Sequence, residues 1–144
     1  VIFLNRDSSR SVSSLKSLQE AVPGADFEAI TCDLQDLASV RAAIKSITST
    51  HDRLDVLCNN AGVMALEDRA TKDGYDVQMQ TNCISHFLLT KDLFPLLAKS
   101  DDARIVNHSS GARRGPRLEE QYFGKNGRSL GGAGVEEALS LIQI

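Results

Sequence analysis

The chain has 144 residues, 42% hydrophobic and 24% charged, a composition that suits one folded domain and argues against disorder or a collagen-like repeat. With 16 basic against 19 acidic residues the formal charge is −3, which gives no electrostatic reason to expect a nucleic-acid or anionic-membrane partner. Cys32, Cys58 and Cys83 lack the spacing of a disulfide framework or a zinc site, and no apolar run is long enough to span a bilayer.

Val1 to Leu4 is a continuous apolar run ending in Asn5-Arg6-Asp7, the form of a parallel strand buried on both faces. Val12, Leu15, Leu18 and Val22 then recur at helical spacing before Pro23-Gly24, which predicts an amphipathic helix. Phe27 to Cys32 reads as a second strand. A helix carrying Leu37, Val40, Ile44 and Ile47 follows it, and Leu54 to Cys58 makes a third strand. Beyond Asn59-Asn60-Ala61-Gly62, a long helical pattern runs from about Tyr75 to Lys99, apolar on more than one side. Arg104 to Asn107 is a short fourth strand ending at His108-Ser109-Ser110. From Gly111 the pattern dissolves into a glycine-rich stretch with a weak helix at 135–144.

Strands alternating with helices of this length require crossover connections, so the expected class is α/β with a doubly wound, Rossmann-like parallel sheet. In such sheets ligands bind beyond the carboxyl ends of the strands. All four predicted strands end in polar residues (Asn5-Arg6, Asp33, Asn59-Asn60 and Ser109-Ser110), which together would line a crevice suited to a nucleotide. His51, His86 and His108 form no ligand cluster by spacing, and His86 and His108 read as satisfied structural histidines.

Four stretches carry a family resemblance: Asn59-Asn60-Ala61-Gly62-Val63, Asp73-Gly74-Tyr75 through Gln80-Thr81-Asn82, Ser85 to Thr90, and Arg104 to Ser110. Together they resemble the short-chain dehydrogenase/reductases, most closely the subgroup that includes retinol dehydrogenases and protochlorophyllide reductases. The resemblance runs from Val1 to about Ser110 and makes 1–110 a partial dinucleotide-binding domain, with 111–144 a flexible insertion and a non-matching tail. It implies an oxidoreductase that passes a hydride between NADP(H) and an alcohol or carbonyl, or a double bond.

By the same resemblance, Arg6 faces a 2'-phosphate and favours NADP over NAD, with a solvated loop arginine as the alternative. Asp33, with Leu34 beside it, contacts the adenine edge, unless Asp33 only initiates the next helix. Asn59, Asn60, Ala61 and Gly62 form the signature that lets the backbone approach the coenzyme while the Asn side chains tie strands together. Ser110 is implied as the serine that hydrogen-bonds the substrate oxygen, Ser109 being the competing position. Asn82 is implied to hold a water in a proton relay, or simply to bond a neighbouring backbone group.

The family's T-G-x-x-x-G-x-G loop and Y-x-x-x-K pair are not in the sequence: Tyr75 is followed four residues on by Met79, and Tyr122 by Asn126. The expectation is a chain truncated at both ends, lacking the first strand and the C-terminal strands. Its first two strands would fall in one half of the sheet and its last two in the other, and it would be inactive alone. A non-catalytic nucleotide-binding or subunit-pairing module, self-associating through the 75–99 helix, is the second reading. An epimerase or dehydratase of the extended branch fits less well around Asn82 and Ser110. Reduced thiols would suit a cytoplasmic or other reducing compartment.

Overall fold

The computed structural model describes residues 1–64, 66 and 69–111. The chain runs through β1 (Ile2–Asn5), α1 (Ser9–Ala21), β2 (Glu28–Thr31), α2 (Leu37–Thr50), β3 (Val56–Asn59), α3 (Val77–Met79), a π-helical turn (Gln80–Ile84), α4 (Ser85–Leu97) and β4 (Arg104–Asn107). The glycine-rich stretch and weak helix expected from residue 112 on lie outside the described residues.

The ends of the helices are set locally. The Ser8 hydroxyl accepts from the Ser11 amide at 3.2 Å to start α1, and the Asp36 carboxylate accepts from the Ala38 amide at 2.9 Å to start α2. After α1 the backbone turns through Gly24 at φ +86°, where space is open around the missing Cβ and the left-handed conformation itself calls for glycine.

The strands form two parallel pairs. β1 lies beside β2 with Phe3 opposite Ala29, and β3 beside β4 with Leu57 opposite Ile105. Among the described residues no ladder joins the pairs, so each strand keeps one edge without a strand partner. This division of the four strands is the one expected from the sequence. Parallel pairing sends both members of a pair out at the same end, so Arg6 and Asp33 emerge together, as do Asn60 and His108.

One core joins the pairs. Val40, Ala43, Ile44 and Ile47 of α2 pack with Leu88, Leu89, Leu93, Leu96 and Leu97 of α4, together with Leu57 and Cys32. Two sequence expectations need correction. The apolar stripe of α1 is not buried: no residue of α1 is, and Val12 is 67% exposed. Nor is β1 buried on both faces, since all four of its residues are half-buried, while β3 alternates exposed Val56 and Cys58 with buried Leu57 and Asn59. The buried cover comes from α2 and α4, and amphipathic spacing alone does not say whether a surface exists to receive the stripe.

These burials set the sensitivity of the fold. Leu93→Ala, at 1% exposure, is expected to lower unfolding free energy by about 2–5 kcal/mol, and Val12→Ser by no more than about 0.5 kcal/mol, both read by urea denaturation.

Candidate functional site

Two cavities open at the strand ends. The smaller, about 200 Å³, is lined by Asn5 and Arg6 after β1, by Asp33, Leu34 and Gln35 after β2, and by Ala61, Gly62 and Val63 after β3. The larger, about 500 Å³, is lined by Asn60, Gly62, Val63, Asn82, His108, Ser109 and Ser110 among others. Gly62 and Val63 line both, so residues 60–63 are a common wall. Of the residues singled out in the sequence, Arg6, Asp33, Leu34 and Ala61 thus meet in one cavity, Asn60, Asn82 and Ser110 in the other, and Gly62 in both.

Asn59 lines neither cavity. It is buried beneath them, where its Nδ2 donates to Asn107 Oδ1 at 2.8 Å and to Thr90 Oγ1 at 3.0 Å, tying β3 to β4 and α4. Asn82 is also committed: its Oδ1 accepts from the Val63 amide and its Nδ2 donates to the Val63 carbonyl, both at 2.8 Å. It stands in the π-helical turn, a widening of the helix that recurs at functional sites and that periodicity does not reveal.

Asp33, the acid that lines the smaller cavity, and Asp36, three residues on, are both occupied. Asp33 caps the Gln35 amide at 2.9 Å and does not start α2; Asp36 does. The Asp36 carboxylate also takes the Lys72 ammonium, whose hydrogen bond holds its pKa below the ordinary carboxylate value. Arg6 makes no ion pair among the described residues. The Cys32 thiol at this cavity is pushed up to about 11 by burial and then by the charges of Asp33 and Asp36, so it stays protonated.

Two residues were not assigned to the site by sequence reasoning. His108 Nδ1 donates to Asn60 Oδ1 at 2.7 Å on the wall of the larger cavity; its place next to Ser109-Ser110 was the available signal. His86 is buried on α4, with Nε2 donating to the Ala61 carbonyl at 2.7 Å and Nδ1 without a partner among the described residues. Burial lowers its pKa, against the opposing effect of the Ala61 bond. A lone histidine in an apolar helix carries no sequence signal for such a contact. Among the described residues no His/Cys/Asp/Glu cluster is placed to hold a metal ion, and no helix is long and apolar enough to cross a membrane.

The sequence profile described as short chain dehydrogenase matches residues 1–122. Human retinol dehydrogenase 13 is 34% identical over 110 residues, which cover 76% of this chain and 33% of that protein. The polyprenol dehydrogenase of Danio rerio is 34% identical over 122 residues, covering 82% of this chain and 38% of that one. Among solved structures, the Pseudomonas aeruginosa RhlG/NADP active-site complex superposes with a TM-score of 0.62 at 29% identity, over 88% of this chain and 50% of that one. The chain spans about a third of the length of the curated relatives it matches.

The lowered pKa of His86 fixes a pH response. The unfolded imidazole takes up its proton first as pH falls through about 6.5, whereas the folded one resists, so the proton favours the unfolded chain. Stability is therefore full above that value and is lost as pH drops towards the lower folded pKa. Melting temperature is expected to fall more between pH 7.5 and 5.5 in the wild type than in His86→Gln, which has nothing to titrate there.

Proposed function

The chain belongs to the short-chain dehydrogenase family, and from that premise we propose that its strand ends take NADP(H) and present Ser110 to an alcohol or carbonyl substrate. The observation that carries this reading is the common wall at residues 60–63. It separates a cavity with a cation, Arg6, from one with a hydroxyl, Ser110, and both cavities open beyond strand ends. The donor set fits the coenzyme. Arg6 is uncommitted and matches a 2'-phosphate, Asp33 and Leu34 flank the place of the adenine, and Gly62 lets the backbone approach closely.

The coenzyme, when bound, supplies or accepts the hydride. Ser110 Oγ then donates a hydrogen bond to the substrate oxygen, where negative charge grows as a carbonyl is reduced. Asn82 has spent its side-chain amide on Val63, so its share of a proton relay falls to the backbone of the π-helical turn. No Tyr-x-x-x-Lys pair stands in these 144 residues, and in this reading they bind the coenzyme without turning substrate over by themselves. Other family members in complex with NADP support the choice of coenzyme, the RhlG complex among them.

Self-association through α4 is a second part of the proposal. Phe87 and Phe94, two helical turns apart, are 67% and 56% exposed, an apolar pair on one face of the helix. Phe87→Ser with Phe94→Ser is expected to shift the sedimenting species towards monomer; an unchanged profile would remove this part.

The coenzyme reading is tested by calorimetric titration. Arg6→Ala is expected to weaken NADPH binding about tenfold or more while leaving NADH binding within about threefold, the size of one lost charge-assisted contact. Ser110→Ala is expected to leave the NADPH Kd unchanged and, in the full-length protein, to slow hydride transfer by about 10²–10³-fold. A wild-type chain that binds neither coenzyme would refute the reading.

A further inference from the structure

Asn82, His86 and Thr90 stand four residues apart along one side of the helical run, and each reaches a different point of the strand end below. Asn82 holds Val63 by amide and carbonyl at 2.8 Å, His86 holds the Ala61 carbonyl at 2.7 Å, and Thr90 holds Asn59 Nδ2 at 3.0 Å. The partners 63, 61 and 59 are two residues apart and run in the opposite direction. Four residues of helix rise about 6 Å, and two residues of extended chain span about 6.6 Å. The two spacings match, so a helix and an extended segment can be joined rung by rung without strain.

We propose that His86 is a positioning residue for the wall at residues 60–63, its Nε2–H bond fixing the Ala61-Gly62 peptide where both cavities meet it. The outer rungs hold Asn59 and Val63, and the middle rung holds the Ala61 carbonyl between them. Because the Ala61 carbonyl can only accept, Nε2 carries the proton and Nδ1 is left bare, buried and unpartnered among the described residues. An orphaned buried acceptor costs stability, and the bond to the wall is the interaction that offsets it. His86 lines neither cavity, so it acts on a ligand through Ala61 and Gly62 only.

The consequence for binding rests on the coenzyme reading above; the placement of the wall does not. The test therefore has two arms on the full chain: NADPH titration, and hydrogen exchange at the Val63 amide, the neighbouring rung. His86→Phe keeps a ring and removes the donor, whereas His86→Gln returns an amide N–H close to the position of Nε2. His86→Phe is expected to weaken NADPH binding about tenfold or more and to speed exchange at Val63, leaving the α2 amides of Ile44 and Ile47 unchanged. His86→Gln is expected to recover both to within about threefold.

If the wild type binds NADPH and His86→Phe binds it equally well, the inference is overturned. If the wild type does not bind NADPH, the coenzyme reading fails, and the exchange arm decides. Faster exchange at Val63 in His86→Phe, restored in His86→Gln, upholds the role of His86; unchanged exchange overturns it. Should His86→Phe lose its cooperative melt, His86→Asn, whose amide stops short of Ala61, replaces it in both arms.

Discussion

The packing of α2 on α4 is the contact on which the rest of the molecule depends. Among the described residues no ladder joins the β1–β2 pair to the β3–β4 pair, so hydrogen bonding between these strands cannot set the distance from Arg6 to Ser110. That task falls to side chains that leave no room to slide: Val40, Ile44 and Ile47 from one helix against Leu88, Leu89, Leu93 and Leu96 from the other. Close-packed apolar surfaces resist displacement because a shift opens voids that forfeit both dispersion contacts and burial. The two cavities are thus held in register from beneath, by helices.

A polar seam adds direction to this apolar clamp. The Gln80 amide donates to Asp73 at 2.9 Å and to the Leu34 carbonyl at 3.4 Å, and its carbonyl oxygen accepts from the Thr71 hydroxyl at 2.5 Å. The Ser85 hydroxyl donates to the same Leu34 carbonyl at 2.6 Å, and the Asp73 carboxylate accepts from the Leu37 amide at 2.9 Å. Leu34 lines the smaller cavity, so the loop after β2 is pinned to the helix that also holds the loop after β3. Buried bonds of this kind each contribute little net free energy. Breaking one leaves an unpaired group in a medium of low dielectric, and this penalty makes the arrangement specific.

Periodicity and punctuation carried the elements that pack. The alternation of strand and helix, the spacing of Val40, Ile44 and Ile47, and the polar residues at each strand end are local patterns, and they appear where the sequence puts them. The misreadings arose where a pattern has more than one outcome. The stripe of α1 has helical period yet meets no surface, and the acid that starts α2 is Asp36 where the alternative reading of Asp33 had put the cap three residues earlier. The continuous helical pattern from 75 to 99 hides the π turn at Asn82, because one extra residue in a turn barely disturbs an apolar period. The rungs from Asn82, His86 and Thr90 are a relation between segments about 20 to 30 residues apart, and no window along the chain contains it.

The freedom of Arg6 is linked to how the carboxylate in the same cavity is used. A guanidinium that shares a cavity with an aspartate, as Arg6 does with Asp33, would normally be neutralised by it, and a paired arginine offers little to an incoming anion. Here that acid has other work, as do the two that follow it around the start of α2. Asp33 accepts the Gln35 amide, Asp36 accepts the Ala38 amide and the Lys72 ammonium, and Asp73 accepts the Leu37 amide and the Gln80 side chain. Asp33 is bound to a backbone amide in the turn that leads into α2, so it cannot rotate towards Arg6 without giving up that bond. The carboxylate that would quench the cation is one that builds the loop beside it. The selectivity for a phosphate assigned to Arg6 in the proposed function therefore depends on the turn that occupies Asp33 as much as on the arginine.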